Sequence, residues 1–175
     1  MDFSLDHFRL FGLPRAFAVD AQALEAAYRA LQSQYHPDRA ASLGDADKRL
    51  ALQAATRINE AFQTLKSPLA RGRYLLQLAG VDTQEETNTA MPVDFLMAQM
   101  EWREAIGEAK QAGDADALDK LAAGLRRERR ALEDELGMLL DQRQAHAEAA
   151  TAVRKLKFMA KLDQEIGDAI DALIE

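Results

Sequence analysis

Apolar positions along this chain recur with helical spacing. Leu24, Tyr28, Leu31 and Tyr35 step by four, three and four residues, and Ala55, Ile58, Phe62 and Leu65 step by three, four and three. Each spacing predicts an amphipathic helix with one buried face. Proline disfavours helical backbone at the residue before it, so Pro37 should stop the first of these helices near Tyr35. The stretch from His36 to about Gly44 then lets the chain turn back. The two stripes can cover each other only as an antiparallel hairpin. That geometry displays His36, Pro37 and Asp38 at the hairpin tip, on a loop, where binding residues concentrate.

The same reading extends over the whole chain. A short helix fits Leu5 to Phe11, closed by Gly12 and Pro14, and Phe3, Phe8, Phe11 and Leu13 can cover an open side of the hairpin. Asp20 suits the N-cap of the next helix. Ser67-Pro68 predicts the start of a fourth helix, with proline at its first position and Gly80 as its C-cap. Residues 81–91 are mostly polar and without period, which predicts a linker. Beyond Pro92 three more helices are expected. The first runs from Phe95 to Gln111, capped by Asp94 and ended by Gly113. The second starts at Asp114 or Asp116, with Leu118, Leu121, Leu125, Leu132, Leu136 and Leu139 inward. The third starts near Ala147, with Leu156, Met159, Ile166, Ile170 and Leu173 inward. Short turns between them predict an antiparallel three-helix bundle. The expected fold is all-α: a domain over 1–80, a linker over 81–91 and a bundle over 92–175.

Composition narrows the function. The chain has 175 residues, no cysteine, four prolines and nine glycines. Without cysteine there is no disulfide, thiolate metal site or cysteine nucleophile. No run of about 18 apolar residues predicts a membrane span. The opening Met1-Asp2-Phe3-Ser4-Leu5-Asp6 carries acids where a signal peptide carries bases. A cytoplasmic protein is expected. Residues 1–79 hold 10 Lys/Arg against 8 Asp/Glu, whereas 80–175 hold 12 against 21, giving the overall −7. That balance argues against nucleic acid, whose binding rests on neutralising phosphates. The run Arg126-Arg127-Glu128-Arg129-Arg130 reads as a solvated helix face with i,i+4 partners such as Arg130 with Asp134.

The helix from Phe95 to Gln111 carries more apolar surface than one core needs. At about 100° per residue, Phe95, Gln99, Trp102, Ile106 and Ala109 share one side. Leu96, Met97 and Met100 fall nearly opposite, with Glu101, Glu104 and Glu108 beside them. An apolar patch with an acidic border, turned from the core, has the character of a partner site. On the last helix Phe158 falls away from the inward side, among Arg154, Lys157 and Lys161. There it is either shielded by lysine stems or a contact residue.

Two resemblances carry the functional expectation. Tyr28-Arg29-Ala30-Leu31, Tyr35-His36-Pro37-Asp38 and Ile58-Asn59-Glu60-Ala61-Phe62 resemble the J domain, which stimulates ATP hydrolysis by DnaK-type chaperones. Together with Phe8 to Pro14, Arg73 to Leu76, Phe95 to Glu104 and Val153 to Phe158, the whole chain resembles the HscB family of iron–sulfur cluster assembly. The resemblance implies that His36, Pro37 and Asp38, helped by Arg29 and Arg39, dock on an HscA/DnaK-type ATPase. It also implies that Leu96, Met97, Met100, Glu101, Glu104, Glu108 and Phe158 hold the scaffold protein IscU. No cofactor and no catalytic residue are expected, the metal-binding cysteine pairs of some family members are excluded because this chain has no cysteine, and nothing demands more than a monomer. One departure is that Arg29 is the only basic residue between Asp20 and Tyr35, so docking charge there should be weaker or placed elsewhere.

Other classes fit less well. A hydrolase built on His36 and Asp38 lacks an evident pocket, nucleophile or oxyanion donor. His7 and His146 read as surface or cap residues, and no His-Glu-x-x-His pattern is present. A general J protein would carry glycine-rich, zinc-binding or β-rich client segments, and none is visible in the sequence.

Overall fold

The computed structural model describes residues 1–174. Seven α-helices form it, with no strand among the described residues. They divide into two compact units, Met1–Leu75 and Leu76–Glu175. Glu175, within the expected bundle, lies outside the described residues.

In the first unit α1 covers His7–Leu10, α2 Ala21–Gln34 and α3 Asp45–Lys66; α4, Pro68–Leu78, begins here and runs into the second unit. Asp20 caps α2, its Oδ1 accepting from the amides of Gln22 and Ala23 at 2.9 and 3.1 Å. Tyr35 is the C-cap, as Pro37 requires. α2 and α3 pack together, and α1 lies on α3. Leu24, Ile58, Ala61, Phe62 and Leu65 are buried between these helices, with Phe8 and Phe11 over them. Tyr28 stacks on Phe62 at 3.9 Å, and its hydroxyl donates to Asn59 Oδ1 at 2.8 Å. Phe17, outside any helix, is also buried, with the Arg71 guanidinium 4.6 Å from its ring centre.

Two expectations here fail. Phe3 does not join the core and is 42% exposed. His7 is not a surface residue. It is buried and stacked on Tyr74 at 4.3 Å, because the inward side of so short a helix takes two consecutive residues, His7 and Phe8.

In the second unit α5 covers Val93–Ala112, α6 Ala115–Asp141 and α7 His146–Ile174. α6 and α7 share the most extensive packing, and α5 leans on both. Phe95, Ile106, Leu118, Leu125, Met159 and Ile166 lie in one core. α5 starts before the predicted Phe95. Pro92 takes the N-cap place, and Asp94 sits in the first turn, where its Oδ1 accepts from the amide of Phe95. Gly113 ends the helix with φ +63°, and the Asp114 amide donates to Ala109 O at 3.0 Å, a Schellman closure that favours glycine. Asp114, not Asp116, caps α6, its Oδ1 accepting from the amide of Ala117. Leu173, expected inward, is 42% exposed where α7 reaches the Gly113 turn.

The segment 81–91 is more than a spacer. Thr83 is buried, and its carbonyl accepts from Arg154 Nη1 at 3.0 Å. Glu86 pairs with Lys157. These bonds tie the segment onto α7 as a strap.

Candidate functional site

His36, Pro37 and Asp38 open a 3-10 turn, Pro37–Ala40, between α2 and α3. Proline at the first position fixes φ where no amide donor is needed. His36 caps the turn: its Nδ1 accepts from the Asp38 amide at 3.2 Å, and its carbonyl accepts from the Arg39 amide at 3.0 Å. An accepting Nδ1 places the proton of a neutral imidazole on Nε2, the ring nitrogen left over as a donor. The Asp38 carboxylate lies 3.4 Å from His36 Nδ1 and is 91% exposed. The turn therefore offers a donor on a ring held by the Asp38 amide and an acceptor in the Asp38 carboxylate, both open to a partner.

Arg39 is exposed within the same turn. Arg29, on α2, is exposed too but pairs with Glu25 at 2.6 Å, so part of its charge is met within its own helix. Beside His36 and Arg39 an open groove is lined by Phe3, Tyr35, Leu43 and Leu50. Its three exposed apolar side chains, Phe3, Leu43 and Leu50, have no regular spacing in the sequence.

α5 is two-sided. Phe95, Ile106 and Ala109 are buried, and Trp102 meets Phe95 edge-on at 6.0 Å. On the opposite side Leu96, Met97 and Met100 are 41, 58 and 73% exposed. Val93, which sequence reasoning missed, is also largely exposed. Val93, Leu96, Met97 and Met100 form an i, i+3, i+4, i+7 stripe, so the periodicity already carried that signal. Glu101, Glu104 and Glu108 are exposed and continue this face toward the end of the helix.

Phe158 differs from the rest of the predicted group. It is half-buried against the core, edge-on to Phe95 at 5.9 Å, with the Arg103 guanidinium 5.3 Å from its ring centre. It lines a recess of about 200 Å³ together with Leu96, Lys157 and Lys161. Phe158 thus adjoins the exposed stripe while serving the bundle.

In the basic run on α6, Arg126 and Arg129 are answered by acids. Arg126 and Arg129 lie 3.8 and 3.5 Å from Asp163, and the i,i+4 pairing is made by Arg129 with Glu133 at 3.6 Å. No group of three or more His, Asp or Glu among the described residues could hold a metal ion. Among the described residues no helix is long and apolar enough to cross a membrane.

Known proteins share this arrangement. A family model described as the DnaJ domain matches residues 6–74, and one described as the HSCB C-terminal oligomerisation domain matches residues 91–167. The co-chaperone protein HscB homolog of Chromobacterium violaceum is 63% identical over 174 residues, 99% of this chain and 98% of that protein. The chain belongs to the HscB family. The HscB homolog of Ralstonia nicotianae is 56% identical over 95% of each chain. Among solved structures, the chaperone HscB from Vibrio cholerae matches with a TM-score of 0.84 and 38% identity, over 97% of this chain and 99% of that one. The human co-chaperone protein HscB matches with a TM-score of 0.89 and 28% identity, over 95% of this chain and 83% of that one. An HscB-family chain with a J domain is a co-chaperone of an Hsp70-type ATPase that serves iron–sulfur cluster assembly.

Proposed function

We propose that this co-chaperone stimulates the ATPase of an HscA/DnaK-type chaperone through His36, Pro37 and Asp38, with Arg39 and Arg29 alongside. In the same reading it delivers an IscU-type scaffold held by Leu96, Met97, Met100, Glu101, Glu104, Glu108 and Phe158. The domain over 1–80 acts on the ATPase, the bundle over 92–175 holds the cargo, and 81–91 connects them. One observation carries the reading: a rigid turn exposes a donor and an acceptor, while a separate helix exposes four apolar side chains that its own core does not use.

Contact at the turn can activate the chaperone only by binding one of its conformational states better than another. Holding the scaffold on the same chain raises its effective concentration at the chaperone. The protein makes and breaks no bond itself and works in the cytoplasm as a monomer. A second reading comes from the matched description of an oligomerisation domain: the chain would then self-associate through residues 91–167, and the exposed α5 face would be covered by another copy. That occupant predicts concentration-dependent sedimentation.

The test is His36→Gln, assayed by single-turnover ATP hydrolysis of the chaperone. Stimulation should vanish while the far-ultraviolet circular dichroism stays as in the native protein, since His36 packs into no core. Undiminished stimulation would remove the turn from the mechanism.

A further inference from the structure

The apolar stripe on α5 has unlike borders. Glu101 flanks one side, and Glu104 and Glu108 continue the face toward the end of the helix from that side. On the other side Leu96 opens into the recess whose far wall is α7, where Arg154, Lys157 and Lys161 supply positive charge and Phe158 the apolar surface, against the single carboxylate of Glu85 on the strap. A carboxylate already reaches this rim from the solvent side. Glu86, on the strap and 80% exposed, pairs with Lys157. The hydrogen bond from Lys157 holds the Glu86 carboxyl below the usual range, with Lys161 adding attraction. Lys161 is exposed and carries its own charge one turn further along α7.

We propose that this recess receives an acidic side chain of the protein that docks on α5. The inference rests on the scaffold-binding reading and adds the partner's chemistry: an apolar segment with a carboxylate on the α7 flank and a basic group on the glutamate flank. Hydrophobic contact has no direction, so the stripe alone would accept such a segment either way round. Borders of opposite sign remove that ambiguity, because the reversed pose sets like charges against each other. Small size and an open mouth suit the recess to one side chain rather than to a free ligand.

The experiment is isothermal calorimetry of full-length protein with the cognate IscU-type scaffold, at low and high salt. Lys161→Glu should weaken binding about tenfold at low salt and lose most of that penalty at high salt, as rim charges do. Lys161→Arg should bind as the native protein does. Lys161 is exposed, so neither change should disturb folding, and thermal melts check this. Native-strength binding by Lys161→Glu, alongside weak binding by Leu96→Ala, overturns the recess proposal and leaves docking on α5 standing. Absence of binding by the native protein overturns both.

Discussion

Truncating the two methionines of the exposed stripe, Met97→Ala with Met100→Ala, separates grip from core. A fully buried methionine side chain contributes about 1.5–3 kcal/mol relative to water. Met97 and Met100 are 58 and 73% exposed, which leaves about 0.9–1.7 and about 1.1–2.2 kcal/mol to be gained when a partner covers them. Alanine keeps part of that contact, so the pair should cost about 1.5–3 kcal/mol of binding, roughly a 10- to 150-fold rise in Kd. Folding should lose about 1 kcal/mol or less, because an exposed truncation leaves no cavity, whereas Leu118→Ala in the core should cost about 2–5 kcal/mol. Calorimetry against the scaffold measures the first quantity and urea unfolding the second. Unchanged affinity would refute the docking face. A stability loss of core size would show that the methionines serve the bundle. Phe158→Ala should move both readouts, since it also removes the edge-on contact with Phe95.

His7 should make the first unit sensitive to acid. Burial is the main cause of its lowered pKa, with the Arg57 charge adding to it and Glu60 and Asp6 opposing. The unfolded chain then binds the proton more readily, near pH 6.5, so stability is full above that pH and falls as pH drops through it toward the folded value. Urea midpoints between pH 8 and about 5 should decline in the native protein and decline less in His7→Phe; equal slopes would exclude His7 as the source. Asp20→Ala removes the two bonds that cap α2 and should cost roughly 1 kcal/mol, seen as a lower Tm with unchanged scaffold affinity. Lost affinity in that variant would mean that the two activities do not divide between the units.

What the sequence made legible is what repetition encodes. The α2 and α3 stripes, the stop at Tyr35 and the two faces of α5 all follow from spacing and one proline, and the structure holds them. Features that depend on distant partners were not legible. Phe17 sits in aperiodic chain and is buried only because later residues cover it, Arg71 among them. His7 looked polar until Tyr74, 67 positions later, closed over it. Phe158 fell off the inward line of α7 because that line was drawn for one neighbour, while α7 packs against both α5 and α6. The strap reads as a spacer because its bonds to Arg154 and Lys157 span 71 positions and leave no local pattern.

The contact of His7 with Tyr74 sets an order for synthesis. α2 and α3 can pair as soon as both leave the ribosome, for their contacts are close in sequence and such contacts form fast. α1 gains its aromatic cover only when α4 emerges. From that moment the unit that matches the J domain is complete, while α5, α6 and α7 are still being translated. A nascent chain halted there should resist protease up to Leu75 and should already present His36 to the chaperone, before any cargo can be carried.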